Sequence, residues 1–308
     1  MGTMPRYRSR RVFLSPKDVS NMVKKPLIDP HMGSPMNRPD LCGFFAGKEF
    51  SLHIDGAPEI KFKAKDINTL VWFKNGVGWE EEYYECYESS SKGLYFLFYQ
   101  VTNAFGNVVR IVAIDSESRL VSLISGRLGK EDYSARDTDA GAHFGYIDFY
   151  DGSPAPAARH EHTLELITKN ILWSVGDTRV IHYYLSRRFF ALQSLGEENG
   201  LVTTEPARHI KLRDNVYLFY WREMQGRGIL ECDIMDLNAF CGVGLRYGVT
   251  DYRFICHGFT RETGKWVTDE ELAEFERVFL ETQDQTYALE TVLGADLPKY
   301  ADPLLTEF

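Results

Sequence analysis

Lys92-Gly93-Leu94-Tyr95-Phe96-Leu97-Phe98-Tyr99 aligns with Asp214-Asn215-Val216-Tyr217-Leu218-Phe219-Tyr220-Trp221, a turn dipeptide followed each time by six aliphatic or aromatic residues. A second pair follows in the same order, Gly126-Arg127-Leu128-Gly129 with Leu245-Arg246-Tyr247-Gly248, at nearly the same offset of about 120 residues. One such match arises easily among aromatic strands; two in order at one spacing mark a duplicated domain. Similar short runs recur on either side, bounded by turn residues. The first series is Glu49–Ile54, Glu59–Lys63, Thr69–Lys74, Glu81–Glu88, Leu94–Val101, Asn107–Ile114 and Leu120–Arg127. The second is Thr163–Leu166, Ile171–Val175, Arg179–Tyr184, Phe189–Gln193, Arg208–Lys211, Val216–Glu223, Ile229–Met235 and Cys241–Tyr247. Asp55-Gly56, Asn75-Gly76, Gly106-Asn107 and Gly176-Asp177 supply hairpin turns. The expectation is an all-β chain of two related domains, Leu41–Asp151 and Arg159–Gly258, joined by the Pro/Ala-rich Gly152–Ala158.

Seven or eight antiparallel strands per domain suit a small closed barrel, and eight strands can enclose one small ligand. Alternation along Val216–Glu223 then sorts the residues. Val216, Leu218, Tyr220 and Arg222 share one face, while Tyr217, Phe219, Trp221 and Glu223 share the other. The second set reads as the wall of an aromatic pocket. Its plainer alternative is a filled core with Glu223 at a solvated rim.

The ends differ from the barrels. Residues 1–40 form a basic arm: the first 39 carry six of the twelve prolines and eight basic residues against two acidic ones. Prolines so spaced forbid a long helix, so this arm reads as irregular and docks on the acidic body or on a second copy of the chain in a homodimer. The segment 266–308 reads as helical: Thr268 and Glu271 form a capping box, and Leu272, Phe275, Val278 and Phe279 recur at helical spacing. A second helix or turn is expected through Tyr287–Leu293.

Across 308 residues the net charge is −9, with 44% hydrophobic and 14% aromatic residues. An acidic chain lacks the basic field that nucleic acid requires, and no apolar run reaches the roughly 20 residues of a membrane-spanning helix. Five cysteines without a CxxC pair favour neither a disulfide framework nor zinc. With no hydrophobic leader, they point to a reducing cytoplasmic setting.

Three stretches resemble the MoaF (molybdenum cofactor biosynthesis protein F) family: the block around Tyr95, the run Val216–Glu223, and Arg179-Val180-Ile181-His182-Tyr183-Tyr184-Leu185. The resemblance implies two tandem lipocalin-like, calycin-type antiparallel β-barrels. It implies no established step in cofactor synthesis, despite the family's name.

Catalytic motifs are mostly missing. No Walker A sequence or G-x-S-x-G elbow occurs, and Gly242, Gly244 and Gly248 sit inside a strand pattern with no helix following. Glu80-Glu81-Glu82 reads as a solvated strand end. His160 and His162 share a strand face, but the third ligand of a cupin-like site is missing in that form, so no metal is assigned. What remains is acid–base chemistry without a cofactor. His182, Glu223 and Tyr217 are the expected catalytic groups, with Tyr184, Trp221 and Phe219 shaping the substrate site. The expected activity is an isomerase, cyclase or lyase acting on a small hydrophobic or aromatic molecule, as in specialised metabolism. Small-barrel phenolic acid decarboxylases and lipocalin-like cyclases are the analogies, at fold level only. The alternative is a non-catalytic carrier or sensor.

Overall fold

The computed structural model describes residues 38–74, 78–101, 108–127, 139–175, 178–195, 202–223, 229–250, 254–283 and 285–293. The basic arm up to residue 37, three of the four hairpin turns and the segment after 293 lie outside the described residues. Eight strands form the first barrel: β1 (Glu49–Ile54), β2 (Ile60–Ala64), β3 (Thr69–Lys74), β4 (Gly78–Glu88), β5 (Leu94–Val101), β6 (Val108–Asp115), β7 (Leu120–Arg127) and β8 (Asp139–Asp148). Each pairs antiparallel with the next, and β1 closes the ring on β8 through pairs such as Ser51 with Asp148.

The short β9 (Glu161–His162) precedes the second barrel. That barrel comprises β10 (Asn170–Val175), β11 (Thr178–Tyr183), β12 (Phe189–Leu195), β13 (Val202–Arg213), β14 (Val216–Glu223), β15 (Ile229–Asp236), β16 (Cys241–Thr250) and β17 (Phe254–Trp266). It closes where β10 pairs with β17. β9 is an added edge on β13.

The duplication is visible in the order of strands: β5 and β14 are each the fifth of their barrel. Tyr95 and Tyr217 hold the second place in those strands, and each faces its own barrel's interior. The second quoted match is displaced by two residues. Gly126 lies opposite Val109 while Tyr247 lies opposite Leu230, so Gly126 corresponds to Tyr247 rather than to Leu245.

Three strand expectations need correction. β8 and β17 were not expected, because glycines in Asp139–Asp148 and a polar stretch in Phe254–Trp266 weaken the alternation. Thr163–Leu166 is not a strand, and β17 runs past the expected domain end at Gly258 to Trp266.

The outer walls of the barrels meet in a common core. Leu94, Phe96 and Phe98 of β5 cluster with Val216, Leu218 and Tyr220 of β14, together with Leu230, Leu245 and Phe259. Gly126 belongs to this contact: a Cβ there would lie 2.5 Å from a Leu230 methyl. At the core's edge Glu85 is completely buried and bound from four sides. Arg38 Nη2 lies 2.6 Å away and His257 Nε2 3.0 Å, while Tyr83 and Tyr87 donate at 2.7 and 2.5 Å. Burial opposes its charge, but His257 and Arg38 beside it hold the carboxyl down at about 2. Asp115 and Arg213 form a second inter-barrel ion pair at 2.7 Å.

Helix α1 (Asp269–Thr282) starts at the expected capping box, Thr268 accepting from the Glu271 N–H and Glu271 from the Thr268 N–H. Its Phe275 and Val278, with Leu272 and Phe279 partly buried, pack on Leu172, Ile181 and Leu195 of the second barrel's outer wall. Helix α2 (Gln285–Val292) follows. No helix among the described residues is long and apolar enough to cross a membrane.

Candidate functional site

Alternation decides what faces the second barrel's interior. β11 contributes Val180 and His182, with Tyr184 just beyond its end; β12 contributes Phe190, and β14 contributes Tyr217, Phe219 and Trp221. The His182 ring lies 5.0 Å from Phe190, 5.8 Å from Phe219 and 5.7 Å from Trp221. Its Nδ1 is 3.4 Å from the Tyr184 hydroxyl, which donates to the Met235 sulfur at 3.2 Å. Burial disfavours imidazolium here and lowers the His182 pKa to about 3.

His209 from β13 stacks on Phe219 at 5.1 Å with the rings 14° apart. Both of its nitrogens are buried without a hydrogen-bond partner among the described residues. Burial, then the charges of Arg208 and His162, bring its pKa to about 4.

The wall beside β14 is acidic. Strand β15 presents Glu231 and Asp233, and β17 presents Glu262 and Thr260. Between them β16 has Gly242 and Gly244. A Cβ on Gly244 would stand 2.4 Å from Glu262 Oε1 and 2.7 Å from Asp233 Oδ1, so the two carboxyls meet over the space the glycine leaves. Asp233 Oδ2 is buried and unpartnered among the described residues. Burial raises all three carboxyls, Glu262 to about 7; Asp233 is raised further by Glu262 and Glu231, and Glu231 is opposed by Arg246. Burial thus favours the protonated form of these carboxyls and the neutral form of the His182 and His209 imidazoles.

The expected catalytic trio is not assembled. Tyr217 and Glu223 do share the inward face, but six steps along the strand separate them by about 20 Å. The Tyr217 hydroxyl donates to Glu165 at 2.8 Å, at one end of the barrel. Glu223 is held by Arg246 at 2.6 Å, at the other. His182, Tyr184, Phe219 and Trp221 do come together. Sequence reading missed His209, Glu231, Asp233 and Glu262, although the alternation of Ile229–Asp236 opposite two strand glycines marks the two acids of β15.

Two further expectations change. Glu82 is not a solvated strand end but fully buried in the first barrel, whose interior also holds Tyr99 and Arg110. His160 and His162 diverge: His160 Nδ1 contacts Ser122 at 2.9 Å, while exposed His162 reaches the His209 carbonyl at 3.3 Å. No group of His, Cys, Asp and Glu among the described residues has metal-site geometry.

The architecture is that of a tandem-barrel, all-β protein with ionisable groups inside aromatic-walled barrels. Residues 160–257 match the family model of the MoaF C-terminal domain. No curated protein matches the chain. A solved structure of a protein of unknown function from the DUF3598 family of Nostoc punctiforme is similar at 9% identity and a TM-score of 0.31, covering 71% of this chain and 94% of that one.

Proposed function

We propose that the second barrel is a cofactor-independent acid–base site acting on a small hydrophobic or aromatic metabolite, as an isomerase, cyclase or lyase. The observation that carries this reading is the Asp233–Glu262 carboxyl pair, buried in the same barrel as His182 and His209. Strongly perturbed acids and bases gathered inside one element make it a functional-site candidate. The carboxyl pair supplies the proton, His182 or His209 accepts one, and Phe190, Phe219 and Trp221 hold the substrate's apolar face. Glu223 positions Arg246 against Glu231 in this scheme. A cytoplasmic setting is part of the same proposal.

The test is to incubate the full chain with a metabolite extract in D2O and analyse it by mass spectrometry. The expected result is solvent deuterium on a transformed metabolite, lost in Asp233→Asn and Glu262→Gln. Metabolites retained by the wild type but never transformed favour the carrier or sensor reading.

A further inference from the structure

The first barrel carries a different chemistry at its rim. Cys42 precedes β1, and its backbone N–H donates to the Cys86 carbonyl on β4 at 2.7 Å. Residues paired through backbone hydrogen bonds across antiparallel chains lie about 5.5 Å apart at Cα, within the span of a disulfide. The two side chains also turn to the same side, both packing on the first barrel's core. Both are free.

Their surroundings differ. Cys86 is completely buried among apolar residues, whereas Cys42 is half-buried, receives the Phe44 N–H and lies near the Lys48 ammonium. The Cys86 thiol and these donors favour a thiolate at Cys42, and its pKa falls to about 6. Burial pushes Cys86 the other way. Elsewhere, Cys232 is locked inside the inter-barrel core, and burial raises Cys241.

We propose that Cys42 and Cys86 form a peroxide-responsive dithiol, with Cys42 as the attacking sulfur and Cys86 as the resolving one. The Cys42 thiolate attacks one oxygen of hydrogen peroxide, the O–O bond breaks, and the departing hydroxide takes a proton to become water. Cys42 is then a sulfenic acid. The Cys86 sulfur attacks it, the S–O bond breaks, and the hydroxide leaves with the Cys86 proton as a second water. Two thiols are oxidised to one disulfide and one peroxide is reduced. The bond staples the segment that carries Phe44 and Phe45 onto β4. Phe44 stacks on Tyr95 at 4.3 Å and Phe45 is fully buried, so this segment covers one end of the first barrel. A thiol reductant reopens it.

The test treats the reduced full chain with stoichiometric hydrogen peroxide, alkylates it, and maps its peptides by mass spectrometry. The expected product is a linked Cys42–Cys86 peptide pair, two hydrogens lighter than the separate thiols. Cys42→Ser removes the link, and Cys86→Ser leaves Cys42 as a sulfenic acid captured by dimedone. Alkylation of Cys42 against pH should have its midpoint near 6. The proposal is overturned if both thiols stay alkylatable while another cysteine oxidises. A Cys42 midpoint near the ordinary thiol value of about 8.5 overturns it equally.

Discussion

Glu262 and His209 are buried in one barrel, and burial favours the neutral form of each, with opposite consequences for stability against pH. The native Glu262 carboxyl keeps its proton to about pH 7, whereas the unfolded one loses it near 4.5. Between those values the native state binds more protons, so this group's contribution is full below the unfolded pKa and is lost as pH rises, by at most about 1.4 kcal/mol per pH unit. His209 titrates at about 4 when folded and near 6.5 when unfolded. The unfolded state then binds more protons, so this contribution is lost as pH falls through that window. Glu262→Gln should therefore raise the melting temperature more at pH 8 than at pH 5. His209→Gln should flatten the acid side of the same curve. Calorimetry of both variants across pH 4–8 checks the two signs. A melting temperature of Glu262→Gln that tracks the wild type at every pH would place this carboxyl in water. Strand alternation reveals such residues only when its partner strand is known. Glu223 was legible because it ends an aromatic run; Glu262 was not, because β17 itself was unread.

At the scale of elements, two glycines set what β7 and β16 can touch. Gly244→Ala places a methyl where the Asp233 and Glu262 carboxyls meet, and the expected result is loss of turnover with the barrel still folded by circular dichroism. Gly126→Val instead drives a side chain into Leu230 across the inter-barrel contact, and overpacking of this kind costs about 1–3 kcal/mol. Helix α1 supplies a milder comparison: Thr268→Ala removes its N-cap and should cost about 1 kcal/mol. Urea titrations of the two variants measure that order. The capping box and the apolar stripe of α1 were plain in the sequence because both are local. The glycines on β16 were visible as glycines, yet their purpose depends on β15 and β17, which pair with them from either side.

For the whole molecule, the repeat was legible and the meeting of its halves was not. The same aromatic strand that forms one barrel's inner wall has an apolar outer face, and periodicity cannot say whether another domain covers it. Leu94, Phe96 and Phe98 against Val216, Leu218 and Tyr220 answer that question, with Glu85 as a charged pin beside them. Glu85→Gln leaves Arg38 and His257 facing a neutral partner in a buried site, and breaking such a pair costs about 3–5 kcal/mol. Because the shared core makes the barrels one cooperative unit, both should melt together in that variant, at a lower temperature, with calorimetric and van't Hoff enthalpies still equal. The connection at 152–158, by contrast, is mostly exposed chain. Adhesion thus resides in the walls, and the peptide link is nearly incidental to it. A protease site inserted there should yield two fragments that elute together until denatured, making the protein a natural split pair whose halves can be expressed apart and reunited.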